Sequence, residues 1–342
     1  MTIAKSNTKL LLWEVKKSNI EASLKTIHST NRAVTINAYR RYNVSGKLFF
    51  DALSKVEKSK IVAMNISLPE YTLEESDVQL LLSLPNLQRF SFQFKNAPIS
   101  LLKGIKKLTE LRELSCALDN TEKSSQLFLE SIAELSSLER LDMFGMKFSD
   151  TYNWILPPNV SIVGIDFSSL TANTIKIIGQ SVQVRHLSIL NCTFPSCKET
   201  ASKYFHSKLR CLEIYDEEFT KCVLDSLEYF EELRMLLVRL ANNSYWYYWQ
   251  LIENKILNTK NVLRVFVVNK EIKNDISDQM LKKIRTKYAI YADYDTNWGQ
   301  YVLDYKDSCY EQSSIFDKSK NAFIDGLYEI NIIRKKLNTK IQ

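Results

Sequence analysis

One apolar phrase returns along most of this chain and limits what it can fold into. In its full form the phrase is eleven residues long, with apolar residues at places one, four, six and eleven. It reads IVAMNISLPEY from Ile61, LERLDMFGMKF from Leu138, VRHLSILNCTF from Val184 and LRCLEIYDEEF from Leu209. Shorter forms stand at Leu87–Phe92, Leu111–Cys116, Ile162–Phe167, Leu233–Val238 and Val262–Val267. Successive units start 26, 24, 27, 24, 22, 25, 24 and 29 residues apart. A unit of that length cannot bury its own apolar face, so neighbours must stack into a solenoid with one long parallel sheet.

The phrase resembles the leucine-rich repeat, L-x-x-L-x-L-x-x-N/C-x-L. One match arises by chance in any amphipathic segment, but here nine occur in phase, and the resemblance covers about Ala33 to Tyr291. It implies an α/β horseshoe, with a parallel sheet on the concave face and helices on the convex face. It also implies an interaction scaffold and names no partner. The Asn or Cys place is filled by Cys192 in one unit. Elsewhere it is Lys95, Asp119, Met146, Leu170, Glu217, Ala241 and Lys270, which implies irregular turns.

Composition agrees with a packed chain. Of 342 residues, 45% are hydrophobic and 25% charged, the balance of a globular protein rather than a disordered one. Seven glycines and six prolines are few for a barrel or sandwich built on tight turns. No apolar run reaches the roughly 18 residues of a spanning helix. The opening MTIAKSNTKLLLWEVKK does not make a secretory signal. Six cysteines form no C-x-x-C pair and no small disulfide framework. A reduced, intracellular chain, cytoplasmic or nuclear, is the simpler reading; a Cys192–Cys197 bridge across a turn is the other. Three histidines offer no zinc grouping, and no cofactor is expected. The net charge of +7 admits acidic proteins, RNA or anionic surfaces as partners without selecting one.

Helical spacing is read over Thr8–Ile27, and residues 1–30 are expected to cap the first apolar layer. The functional rival is an F-box, but the leucine–proline opening of that motif is absent. Within 31–291, helices are expected at Leu73–Leu84, Ile99–Leu108, Ser124–Leu135, Leu170–Ser181, Lys221–Glu231, Tyr245–Leu257 and Glu271–Ile284. Their starts are expected near Thr72, Asp119 and Thr220. Strands are expected at Ala33–Ile36 before the nine units and at Ala289–Tyr291 after them. Residues 292–342 are read as a C-terminal cap with a helix over Ile315–Leu337 and a basic tail from Arg334.

In each unit the fourth and sixth residues point to the core, and the third, fifth and seventh point to the opposite face. The outward set is polar in early units, as in Asn65, Arg89 and Glu113, and turns apolar later. Phe144, Leu190, Tyr215, Met235, Leu237, Phe266 and Val268, with Arg239 and Arg264, form the expected partner-binding surface. The competing reading is that the chain after Tyr291 folds back over it. Arg112, Arg185, Arg210 and Arg234 follow the first leucine-type place and are read as pairing with Asp142, Asp166 and Glu213 rather than with phosphate. The cluster SYWYYWQ is read as core, with base stacking on RNA as its rival and Lys255, Lys260 and Arg264 as phosphate contacts. Cys211 and His186 are geometrically able to form a dyad. No phosphate loop, nucleophile elbow or metalloprotease motif is present. The reading is a non-catalytic protein-binding scaffold. The alternatives are a ribosome- or RNA-associated factor, the substrate receptor of a ubiquitin ligase, and a host-directed effector.

Overall fold

The computed structural model describes residues 11–14, 20–29, 32–39, 45–118, 121–151, 153–197, 199–233, 235–239 and 264–268. The chain divides into two compact units: Met1–Arg185 with Leu190–Pro195, and His186–Ile189 with Ser196 onward. Each is built the same way. Short parallel strands lie side by side in chain order and are joined by crossovers, most of them helical.

In the first unit the strands are β1 (Leu11–Glu14), β2 (Val34–Tyr39), β3 (Ile61–Leu68), β4 (Arg89–Phe94), β5 (Glu113–Ala117), β6 (Arg140–Phe144) and β7 (Ile162–Asp166). Each pairs in parallel with the next. The crossovers carry α1 (Ile20–Ser29), α2 (Gly46–Leu53), α3 (Glu75–Leu82), α4 (Ile99–Gly104) and α5 (Glu122–Ile132), and α6 (Ala172–Gly179) follows β7. In the second unit β8 (His186–Leu190, its last residue in the first unit) leads to α7 (Ala201–Tyr204), β9 (Cys211–Ile214), α8 (Glu217–Asp225), β10 (Met235–Arg239) and β11 (Arg264–Val268). β8 to β11 are again parallel neighbours. This is the solenoid-like α/β arrangement expected of the repeated phrase.

Register explains the core. Phe90, Leu114, Leu141 and Val163 are direct partners across β4 to β7, and so are Phe92, Cys116, Met143 and Ile165. All eight are buried. Each repeat thus covers the apolar pair of its neighbour, stabilising by about 1.5–3 kcal/mol per large side chain relative to exposure. The first-place residues Leu87, Leu111, Leu138 and Val184 are buried as well.

Several elements differ from the sequence expectation. Leu11–Glu14 is a strand on β2, and the helix described within the stretch read over Thr8–Ile27 is Ile20–Ser29. The chain is already in the sheet where the pattern suggested a helix. α2 was not expected; Ser45 starts it by accepting a hydrogen bond from the Leu48 amide at 3.3 Å. α5 and α6 start at Thr121 and Thr171, whose hydroxyls accept from the amides three residues on. α8 starts at Asp216, which accepts from the Phe219 amide at 2.9 Å. Thr220, expected as a cap, is buried inside α8. Among the described residues between β6 and β7 there is no helix; Trp154 and Leu156 fill the layer, with the Trp154 ring 5.8 Å from Phe148.

The unit expected to begin at Ile162 is out of step by two residues. Val160 fills the buried first place, with Val163 and Ile165 as the inward pair. Phe167, expected to face inward, is 62% exposed, and Ser168 rather than Leu170 takes the turn-tying place. The expected helices Tyr245–Leu257 and Glu271–Ile284 lie outside the described residues. So do Asp119, the strand at Ala289–Tyr291, the aromatic cluster and the segment 292–342. Among the described residues no helix is long and apolar enough to cross a membrane.

Candidate protein-docking face

The face opposite the core carries the third, fifth and seventh residues of each repeat. In the first unit these side chains are closed upon one another. Arg89 and Glu113 are register partners with a Nε–Oε1 distance of 3.7 Å. The Arg140 Nε donates to Asp142 Oδ2 at 2.7 Å. The Ser67 hydroxyl donates to Gln93 Oε1 at 2.9 Å. Asn65, Arg89, Ser91 and Ser115 are buried although they face away from the core. Strands about 4.8 Å apart leave little room for water between in-register side chains. Gly164 completes this wall: a Cβ there would lie 2.4 Å from Asp142 Oδ1. The polar early surface is therefore closely packed rather than a set of solvated groups.

Three consecutive strand ends share one backbone solution. Gly145, Phe167 and Asn191 have φ of 66°, 49° and 48°, each one residue past its strand. The left-handed turn is held by buried polar atoms. Asp166 Oδ1 accepts from the Phe167 amide at 2.9 Å and from Asn191 Nδ2 at 3.0 Å. Ser168 Oγ donates to the Asp166 carbonyl and accepts from the Met146 amide, both at 2.9 Å. One repeat later the Cys192 thiol donates to the Leu190 carbonyl at 3.1 Å. Burial, opposed by backbone hydrogen bonds, pushes that thiol up to about 12. The left-handed turn sets the Phe167 ring out into solvent. With half-buried Phe144 and Leu190 it gives the strand ends of the first unit an apolar rim. Phe167 was missed because the phase of its unit was misread; starting the unit at Val160 would have put it in the turn.

In the second unit, register brings the remaining expected residues into adjacent rows. His186, Cys211, Met235 and Arg264 form one row across β8 to β11. Ser188, Glu213, Leu237 and Phe266 form the next. Arg239 pairs with Val268 in the third. Tyr215, half-buried, follows β9 and donates its amide to the Ile189 carbonyl at 3.1 Å. For Met235, Leu237, Arg239, Arg264, Phe266 and Val268 the structure describes the backbone, and their side chains lie outside what is described. The Ser188 hydroxyl donates to the Glu213 carboxylate, closing the β8–β9 side of the rows.

His186 and Cys211 are direct partners, as the repeat spacing implied, but only 7% and 3% exposed. A packed pair of this kind offers no substrate access. Two of the arginines after the first leucine-type place, Arg112 and Arg210, form ion pairs with partners other than those expected. Arg112 meets Glu139 at 3.5 Å and Arg210 meets Glu232 at 3.0 Å, each acid lying beside the first place of the next repeat. Asp142 is taken by Arg140 instead. Arg234 lies outside the described residues.

A cysteine pair that the sequence reading did not consider lies near α8. Cys197 and Cys222 are 25 residues apart, one repeat period, and their thiols donate to the same Glu199 carbonyl at 3.6 and 3.2 Å. Cys192, which the alternative to a reduced chain paired with Cys197, is bonded to the Leu190 and Ile165 carbonyls. Among the described residues no group of three or more His, Cys, Asp or Glu side chains is arranged to hold a metal.

No family model and no curated protein matches the chain. Among solved structures, the leucine-rich repeat protein LIC12759 of Leptospira interrogans is similar at 12% identity with a TM-score of 0.36. The match covers 70% of this chain and 62% of that one, so this chain spans under two thirds of its length.

Proposed function

We propose that this protein is a non-catalytic, intracellular scaffold that binds a protein partner on the outward face of β9 to β11. The observation that carries this reading is the register. Met235, Leu237, Phe266 and Val268 stand in adjacent rows with Arg239 and Arg264. Aliphatic, aromatic and arginine side chains in one patch are the composition of an interface centre. The residues are on strands, so the surface exists before binding and little ordering is lost on docking. Tyr215 extends this patch, and Phe144 and Leu190 form a separate contact rim in the other unit. Residues 1–30 and 292–342 serve as the end caps in this reading.

The test is capture by the full chain from a nuclease-treated extract, compared with the Leu237→Glu/Phe266→Glu double variant. The wild-type chain is expected to retain one protein partner that the variant loses, with the variant still monomeric by size-exclusion chromatography. Capture that survives the double change overturns the site. Aggregation of the variant assigns the patch to the interior. RNA is the second reading, with which the net charge of +7 is compatible; capture lost on nuclease treatment, and a steep fall in affinity with salt, would establish it.

A further inference from the structure

We infer that Cys197 and Cys222 form a built dithiol site that closes to a reversible disulfide on exposure to a low-molecular-weight disulfide. Cys197 lies in the connection between β8 and α7, and Cys222 sits on α8. Both belong to the second unit and both are half-buried, so a small reagent has access. Both also point at one acceptor: the Glu199 carbonyl lies 3.2 Å from the Cys222 sulfur and 3.6 Å from the Cys197 sulfur. The connection is held in place independently of the thiols. Glu218 Oε2 accepts from the Cys197 amide at 2.8 Å and from the Ser196 hydroxyl at 3.3 Å. Glu218 is itself on α8, one turn before Cys222. The fold therefore holds the two sulfurs together before any bond forms between them.

The other described cysteines have different settings. Cys116 and Cys211 are buried. Cys192 is tied to the backbone of its turn. Within the Cys197–Cys222 pair the roles are unequal. Burial pushes both thiols up, and Cys222 further than Cys197. Cys197 is therefore the attacking group and Cys222 the resolving one.

The Cys197 thiolate attacks one sulfur of the external disulfide R–S–S–R. That S–S bond breaks, R–S⁻ leaves, and a mixed disulfide remains on Cys197. The Cys222 thiolate then attacks the Cys197 sulfur, the protein disulfide forms and the second R–S⁻ leaves. The two protons from the protein thiols end on two R–SH. The protein is oxidised by two electrons and the external disulfide is reduced by two. The product staples the β8–α7 connection to the helix of the following repeat.

The experiment equilibrates the full reduced chain with oxidised and reduced glutathione, traps with iodoacetamide and maps the peptides by mass spectrometry. A Cys197–Cys222 linkage that dithiothreitol reverses is expected as the main product. Cys222→Ser should accumulate a glutathione mixed disulfide on Cys197. Cys197→Ser should leave Cys222 largely alkylated. The native chain should favour the linkage at least about tenfold over the same chain in urea, because a preformed pair raises the effective concentration of one thiol at the other. An equal preference in the two states would overturn the inference, as would a dominant Cys192–Cys197 linkage or mixed disulfides on both residues of the wild-type chain.

Discussion

The left-handed turn places show how single residues carry this fold. Gly145 and Phe167 occupy equivalent positions with φ of 66° and 49°, but only glycine is free of strain there. Gly145→Ala should destabilise the chain by about 1–2 kcal/mol, since its Cβ would also lie 2.9 Å from the Leu118 carbonyl oxygen. Phe167→Gly should leave stability within about 0.5 kcal/mol, because relief of backbone strain offsets the added chain entropy and the exposed ring contributes little. Urea unfolding of both variants checks the pair. Cys192 gives a pH dependence. Its thiol ionises near 9 when unfolded and is held up to about 12 by burial in the folded chain. The folded state keeps the proton longer, so this contribution is complete below about pH 9 and is lost as the pH rises through about 12. The stability difference between wild type and Cys192→Ser should change over that window and stay flat below it. A flat difference throughout would show that the thiol is not buried as described.

At the scale of the element, the helices depend on their first residues. α5, α6 and α8 have 11, 8 and 9 residues, too short to be stable alone in water. Their caps, Thr121, Thr171 and Asp216, each satisfy one otherwise unpaired amide. Thr171→Ala should cost about 1 kcal/mol, and Thr171→Ser should restore most of it, as read by thermal unfolding. Existence and order of these helices were legible from the apolar spacing between strands. Their starts were less so, because several Ser, Thr and Asp residues precede each run and any of them can cap. Which one does so depends on where the preceding strand releases the chain. The same ambiguity displaced the β7 unit: Val160, Ile162 and Val163 are all apolar, and only the structure shows that Val160 is buried and that Val163 pairs with the inward Leu141 of β6.

For each unit as a whole, stability is shared between neighbours. Phe92 is in register with Ile66 on β3 and Cys116 on β5. Phe92→Ala should cost about 3–5 kcal/mol by removing contacts on both sides. In a stacked array the loss should spread, so amide hydrogen exchange of β3 and β5 should speed up along with that of β4. Exchange confined to β4 would argue against nearest-neighbour coupling.

The repeat period and the alternation of apolar and polar residues determined the parallel order of strands and which side chains make the core. Those features are local and recur, so one chain contains nine readings of the same rule. Only the tertiary structure decided the strand at Leu11–Glu14, the left-handed turn at Phe167 and the partners of Arg112 and Arg210. It also decided the meeting of Cys197 with Cys222. Each of these depends on which residue of one repeat lies against which residue of the next. That register is set by packing between repeats, to within a fraction of a strand spacing, and a linear pattern with units of unequal length does not contain it.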